Sequence, residues 1–574
     1  MTTVTTPTTP AGIRKYIPIL DWLPHYQAAW LRSDLLAGLI AAAVVIPQAM
    51  AYATMAGLPV QVGLYVALLP MFVYAILGSS RRLSVSSTSP IAILTGTVLL
   101  TMVGPASSPS DYIVPAATLA FLVGLFLLLA SLLRLGFLAD FISKPVLTGF
   151  LAGIGVVIIT SQLGKVLGIT VPSGPTLRTL GLVITSLNQI NWPTALLSTA
   201  TLAILIFLPR LVPGLPAALV AVAFGIALSA FFNLSALGIT LVGEVPSGLP
   251  SFSPPDLSLV GSLWLPAIGI ALLAFTESSA MARSFRKFGE PVPDANQELI
   301  ALGMANIAGG LFQAFPASGG ESQTAVNANA GAKTQVAALV TAGIVVLILL
   351  FLSPLISLMP EATLGAMLLV AGAGLIDVDK FRDMAQIRRT ELIWALVAFA
   401  GVIVLGVLEG ILIAILFSLL SLLGQVESPP VYALTRKPGT QVFRPLGDHP
   451  DDEIITGLLI TRTEGRLFFA NASGVVDKLW GLVHQASPKP QVMILDCDAI
   501  PDIEYTAITA LIEFEEQLHN AGILLWLANL NPDVLPLVKR GPLGKKLSSE
   551  QIYPDLELAV AAYLQRNEPE ESNE

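Results

Sequence analysis

The sequence predicts an α-helical, polytopic membrane protein of fourteen segments arranged as a 7+7 inverted repeat, followed by a small α/β domain. Three observations predict it. Charge is partitioned along the chain: Met1 to Gly424 holds 18 Lys/Arg and 17 Asp/Glu, whereas the 150 residues from Gln425 hold 12 and 22. Charged residues are only 12% of the whole, about half the share of a soluble domain, and mean hydropathy is +0.76. Finally, two apolar segments, seven apart, are too short to cross a bilayer and follow runs of small polar residues.

A spanning helix needs roughly 20 apolar residues, fewer where other helices bury it. Such runs lie near 35–54, 60–78, 88–103, 115–133, 145–162, 193–208, 213–232, 264–282, 296–313, 322–333, 335–353, 362–376, 391–407 and 409–424. With a cytoplasmic N-terminus, only Lys165 and Arg178 of the 18 basic residues fall on the outer side, as cytoplasmic retention of Lys and Arg requires. An even number of crossings returns the C-terminus to the cytoplasm. The expected divisions are a cytoplasmic segment 1–34, a transport domain 35–424, a linker 425–435, a soluble domain 436–566 and an acidic tail 567–574. "MTTVTTPTTPAGIRKYIPILDW" lacks the layout of a signal peptide, so the first helix is expected to direct insertion into the cell membrane.

The two short segments follow "SVSSTSP" (Ser84–Pro90) and "SGGESQT" (Ser318–Thr324). An odd separation inverts the second half relative to the first, and paired interrupted segments in corresponding places mark an inverted-repeat transporter. Backbone can leave the helix inside a bilayer only where protein or a wet cavity satisfies it. The two stretches are therefore expected to reach mid-membrane as extended chain and then begin half-helices whose N-termini meet. Free N–H groups and the positive dipole end make each start an anion site. Pro90 suits a first turn, where its missing N–H costs nothing. "GLIAAAVV" at Gly38 reads as a close approach of helices.

"IPQAMAYATMAGLPVQVGLYVALLPMFVYAILGSSRRLSVSSTSP" and "NQELIALGMANIAGGLFQAFPASGGESQTAVNANAGAKTQ" resemble the two signatures of the SulP anion transporters, the sulfate permeases related to pendrin and prestin. The resemblance covers nearly the whole chain, and its C-terminal part resembles the STAS domain of that family. It implies a core of segments 1–4 and 8–11, a gate of 5–7 and 12–14, a homodimer and elevator-like alternating access. Carried over position by position, it implies an anion site drawing on Gln48 and Tyr52 in the first helix, Thr88 and Ser89 at the start of the third segment, and Ser322 and Gln323 at the start of the tenth. Amide and hydroxyl donors there would replace an oxyanion's hydration shell. Gln48 can equally bond helix to helix, Tyr52 can equally pack the gate, and the hydroxyls can equally satisfy loose backbone. Many members of the family have arginine at the position of Gln323, so this chain lacks a fixed positive charge. Glu321, beside Ser322, is expected to face the outer vestibule or to carry a proton.

Glu277, in "ALLAFTESSAMARSF", is a carboxyl group inside the eighth segment, and charges there are costly and mark function. The resemblance ties an acidic residue at this place to cation coupling. A proton is the first choice, because protonation beside an arriving anion removes repulsion. Sodium would need further oxygen ligands from Ser278 and Ser279, and Met281 one turn on is a poor one. Sulfate is the first-choice substrate, ahead of bicarbonate, chloride or dicarboxylate; an uncoupled channel or exchanger is the remaining alternative.

From Arg436, strands alternate with amphipathic helices: "EIITGLLITRT" and "GRLFFANA" as strands, "SGVVDKLWGLVHQA" as helix, "QVMILDCDA" as buried strand, "EYTAITALIEFEEQLHNAG" as helix and "ILLWLANL" as strand. Thr506 stands where relatives of the domain carry a phosphorylated residue, and is read as a helix N-cap. The net charge of −9 argues against nucleic-acid binding, one cysteine (Cys497) excludes an internal disulfide, and four scattered histidines offer no metal site. With no phosphate loop, metal cluster or nucleophile constellation, neither an enzyme nor a cofactor is expected.

Overall fold

The computed structural model describes residues 16–104, 108–140, 143–171, 174–212, 215–243, 245–287, 289–407, 427–447 and 449–566, with isolated positions between 409 and 424. The chain divides into two compact units, Met1–Ser418 and Leu419–Glu574.

The first unit is helical. In order come α1 (Ala28–Met55), α2 (Val60–Leu77), β1 (Val85–Ser86), α3 (Ser89–Val103), α4 (Ile113–Leu132), α5 (Lys144–Leu167), α6 (Thr176–Thr185), α7 (Trp192–Leu211), α8 (Ala217–Phe232) and α9 (Val260–Ser284). There follow α10 (Ala295–Leu311), β2 (Ser318–Gly319), α11 (Glu321–Asn329), α12 (Val336–Leu347), α13 (Glu361–Gly374), α14 (Val378–Ile387) and α15 (Arg389–Val404). Among the described residues, eight helices are long and apolar enough to cross a membrane. Thirteen of the expected segments have a helical counterpart, and the fourteenth, 409–424, lies largely outside the described residues. Helices α6 and α14 are additions. Both are amphipathic and short, so a search for apolar runs passes over them.

The helices pack in two groups: α1 to α4 with α9 to α12, and α5, α7 and α8 with α13 and α15. Small residues let the backbones touch. A Cβ on Gly38 would lie 2.6 Å from the Ala337 carbonyl oxygen, so α1 can meet α12 only with glycine there.

The halves join at mid-chain. Strands β1 and β2 pair antiparallel, Val85 opposite Gly319 and Ser86 opposite Ser318. At 1.5 Å per residue, the 15 residues of α3 reach about 22 Å and the nine of α11 about 14 Å, so neither spans an apolar core of about 30 Å. Both are half-helices, begun beside a shared two-stranded clasp.

The far end of α11 is anchored by two buried charges. The Asp34 carboxylate accepts from the backbone N–H groups of Lys333 and Thr334 and from the Thr334 hydroxyl at 2.6, 3.2 and 2.7 Å. Arg82 donates to the Ala332 carbonyl at 2.9 Å and forks onto Glu290 at 2.6 and 2.7 Å. A cation suits a helix C-terminus. Arg82 is 3% exposed, so it is a structural tie as well as a marker of topology.

The second unit is a six-stranded sheet in the order β4-β3-β5-β6-β7-β8, with β3 (Val431–Arg436), β4 (Phe443–Pro445), β5 (Leu458–Thr463), β6 (Val492–Asp496), β7 (Leu524–Ala528) and β8 (Ile552–Tyr553). Strands β5 to β8 run parallel, and β3 is antiparallel to both β4 and β5. Helices α16 (Ala472–Gln485) and α17 (Tyr505–Asn520) cover one face through Leu479 and Phe514. Helix α18 (Leu556–Arg566) covers the other through Leu556, Val560 and Tyr563. Two expectations are corrected. "GRLFFANA" is no strand: Leu467 makes a single bridge to Ile503, and Asn471 folds the rest into a turn by bonding the Phe468 N–H and the Arg466 carbonyl. Thr506 is not the N-cap, because Glu504 holds that position and Thr506 is the exposed second residue of α17. The sheet also begins at Val431, inside the stretch expected as linker.

Candidate functional site

The clasp sets the site. Thr88 is the N-cap of α3 and lies extended, with Pro90 in the first turn; Gly320 is the extended N-cap of α11. First-turn N–H groups have no helical acceptor, so those of Ser89 and Ile91 in α3 and of Glu321, Ser322 and Gln323 in α11 are donors for whatever lies in front of them. The Gly320 N–H bonds the Ser84 carbonyl at 3.2 Å and the Ser84 N–H bonds the Thr324 hydroxyl at 3.1 Å, which lashes the two starts together.

Glu277, on α9, closes the clasp from the side. Its Oε2 accepts from the Thr88 hydroxyl at 3.1 Å and the Ser318 hydroxyl at 3.0 Å, and those hydroxyls lie 3.1 Å apart. One residue along, the Ser278 hydroxyl accepts from the Gly319 N–H at 2.7 Å while donating to the Ala274 carbonyl at 2.6 Å. A single turn of α9 thus grips both halves of the repeat. The Ser279 hydroxyl oxygen is buried and has no hydrogen-bond partner among the described residues.

The residues expected at the site divide by what their side chains do. Tyr52 is buried with its phenol beside Ser89, and Ser322 reaches Gln48 Oε1 at 3.5 Å, the outer limit of a hydrogen bond. Gln48, Tyr52, Ser89 and Ser322 therefore gather around the two helix starts. Thr88 is present too, with its hydroxyl given to Glu277. Gln323 is 1% exposed; its Oε1 accepts from the Ser86 hydroxyl at 2.6 Å and its Nε2 faces the Ser87 carbonyl at 3.4 Å. Its amide secures the clasp, where a longer, charged side chain would have to find another place. Glu321 is exposed at the first turn of α11. Ser86 and Ser318 lie within the polar runs "SVSSTSP" and "SGGESQT" but outside the anion contacts that the resemblance implies; which hydroxyl meets which carboxylate is a matter of pairing register.

Two helix N-termini, a phenol, an amide and hydroxyls, with a carboxyl group beside them, can hold one small anion and one cation in contact. Among the described residues there is no cluster of three or more His, Cys, Asp and Glu that could hold a metal ion.

The description of the sulfate permease family matches residues 31–398, and that of the STAS domain matches residues 449–559. The chain belongs to the sulfate permease family. Its relatives include a probable sulfate transporter of Mycobacterium tuberculosis, 39% identical over 544 residues and covering 94% of this chain and 97% of that protein. Sulfate transporter 3.1 of Arabidopsis thaliana is 29% identical, over 98% of this chain and 90% of that one. Among solved structures, the murine Solute Carrier 26 family member A9 anion transporter in its inward-facing state superposes with a TM-score of 0.88 at 23% identity, over 98% of this chain and 97% of that one. The transmembrane domain of a cyanobacterium bicarbonate transporter gives 0.60 at 25% identity, over 68% of this chain and 98% of that domain. The fold of this sulfate permease family member is thus that of a multi-pass helical membrane transporter carrying a STAS domain, and the family is one of transporters rather than enzymes.

Proposed function

We propose that this sulfate permease family member is a secondary active carrier that takes up a small inorganic anion, sulfate first, by proton symport. The anion would sit between the first turns of α3 and α11, with Gln48, Tyr52, Ser89 and Ser322 around it, Thr88 and Gln323 holding the site together, and Glu277 as the proton carrier. The observation that carries this reading is the geometry of Glu277: one carboxyl oxygen bonds hydroxyls from the segments that lead into both half-helices, so its charge state acts on the place where the anion would bind. Gaining a proton there removes repulsion of the anion, and losing it on the other side of the membrane returns that repulsion. Elevator-like movement of the α1–α4/α9–α12 group against the rest, a homodimer in the cell membrane, and cytoplasmic termini complete the proposal.

Sodium-coupled bicarbonate transport is the second reading. It is favoured by the absence of a fixed positive charge at Gln323 and the likeness to a bicarbonate transporter's membrane domain. Proteoliposomes loaded against proton or sodium gradients, supplied with labelled sulfate or bicarbonate, separate the two. Ser318→Ala, which takes one hydroxyl from Glu277, should weaken gradient-driven accumulation; unchanged accumulation would contradict this assignment of the site.

A further inference from the structure

A second feature lies one helical turn away from the site. A cavity of about 520 Å³ is bordered by Met55 at the end of α1 and its C-cap Ala56, one turn beyond Tyr52, and by Ile93 and Thr97 on α3, one and two turns beyond Ser89. Its far wall is the last two turns of α5 and the start of α13. Among the described residues lining it, Lys165 is the one cation and Glu361 the one anion. Lys165 is also one of the two basic residues that the charge asymmetry of the sequence leaves on the outer side.

Part of the polar wall has no hydrogen to offer an anion. The hydroxyls of Thr54, Thr97 and Thr160 donate back to carbonyls of their own helices at 2.7, 2.9 and 2.8 Å, so only lone pairs remain for the cavity. Gln162, one turn before Lys165, gives its N–H to Ser161 and leaves its carbonyl oxygen buried without a hydrogen-bond partner. Among the described lining residues, any negatively charged solute entering here meets a single positive charge, the Lys165 ammonium. That ammonium is held loosely: it lies 4.0 Å from the Glu361 carboxylate, and the side chains are 34% and 35% exposed. At that exposure the pair contributes little to stability, and an arriving anion can displace the carboxylate.

We infer that this cavity is the outer entrance to the anion site, with Lys165 as the residue that captures the external anion and Glu361 as the competitor that lets it go. One positive charge, loosely opposed by one carboxylate, draws anions in without trapping them, and focusing by low-dielectric walls enhances the draw. The inference rests on the anion-carrier reading above and adds to it a positioning residue outside the binding site.

Initial rates of external sulfate or bicarbonate uptake, whichever the unaltered chain accumulates, are measured in intact cells expressing the full chain. Lys165→Gln should raise KM about three- to tenfold and leave the maximal rate within about twofold, whereas Glu361→Gln should lower KM. A merely structural ion pair would shift both variants in the same direction, which overturns the inference. Lys165→Cys supplies the second arm, because the chain's single native cysteine, Cys497, is buried. Externally applied, membrane-impermeant trimethylammonioethyl methanethiosulfonate puts a positive charge back and should restore KM; the sulfonatoethyl reagent should raise it further. Identical responses to both reagents, or no response from outside, overturn the inference. Failure of the anion-site reading shows elsewhere, as full accumulation by the Ser318→Ala variant.

Discussion

Replacing Glu277 by Gln removes the titratable group while retaining an acceptor for both hydroxyls. The Thr88 and Ser318 contacts at 3.1 and 3.0 Å can persist to the amide oxygen, each as a neutral hydrogen bond of about 1 kcal/mol instead of a charge-assisted one of about 1.5–3 kcal/mol. The clasp is therefore weakened by about 1–4 kcal/mol, and its backbone pairing through β1 and β2 stays in place. The loss of coupling is far larger. One proton carried down a gradient of one pH unit supplies about 1.4 kcal/mol, which sustains about a tenfold accumulation of the co-transported solute. In proteoliposomes acidified outside by one unit, the unaltered carrier should reach that ratio per coupled proton, and Glu277→Gln should stop near unity while still equilibrating labelled anion down its own gradient. Accumulation by Glu277→Gln equal to that of the unaltered protein refutes the assignment of Glu277 as proton carrier. If sodium is the coupling ion, the same variant fails under a sodium gradient and the unaltered protein ignores the pH gradient.

Arg82→Met leaves Glu290 and the Ala332 carbonyl without their partner, at a cost of about 3 kcal/mol, and Arg82→Met with Glu290→Gln should recover part of it in thermal unfolding of the purified protein. Burial alone would raise the Glu290 carboxyl, but the Arg82 and Lys287 N–H bonds and the charges of Arg82 and Arg81 outweigh it and hold the group below its ordinary value. Its stabilisation is complete above the ordinary carboxylate range and is lost as pH falls through the depressed value, so Arg82→Met should flatten the acid limb of a stability profile. Gly38→Val drives a branched side chain into the Ala337 carbonyl and should cost about 1–3 kcal/mol, seen as a lower melting temperature in detergent. In the STAS domain, Asp496 is fully buried and paired with Arg462 at 2.5 and 2.7 Å; Arg462→Met strands that charge and should cost about 3–5 kcal/mol of domain stability by denaturant titration.

Much of the fold was legible because the bilayer imposes it. Long apolar runs, the bias of Lys and Arg, and the polar stretches ahead of two short segments follow from backbone satisfaction and charge cost, and each has its counterpart in α1 to α5, α7 to α13 and α15. Segments obeying no such constraint escaped: α6 and α14 are amphipathic and short, and β3 lies in what reads as linker. The family resemblance and the cost of a carboxyl group inside the membrane single out Gln48, Tyr52, Thr88, Ser89, Ser322, Gln323 and Glu277, but which partner each side chain bonds was not legible in the sequence. The family resemblance implies an anion contact for Gln323, yet its amide is used by Ser86 and Ser87, because the β1–β2 register brings those residues within reach. Likewise, nothing local to Thr88 or Ser318 announces that they share the carboxylate of a residue on α9. Arg82 reads as a topology marker, and only its contacts with Ala332 and Glu290 make it a tie. Pairing across the repeat decides these roles, and it is a long-range property of the chain.

The account depends on an anion held by two half-helix beginnings that face one another midway through the lipid. Anomalous diffraction from crystals of the full protein grown with selenate tests that most directly. A selenium peak within hydrogen-bond reach of the first-turn N–H groups of both α3 and α11 is the expected result; a peak bound elsewhere in the membrane unit, with none between Ser89 and Ser322, would contradict it.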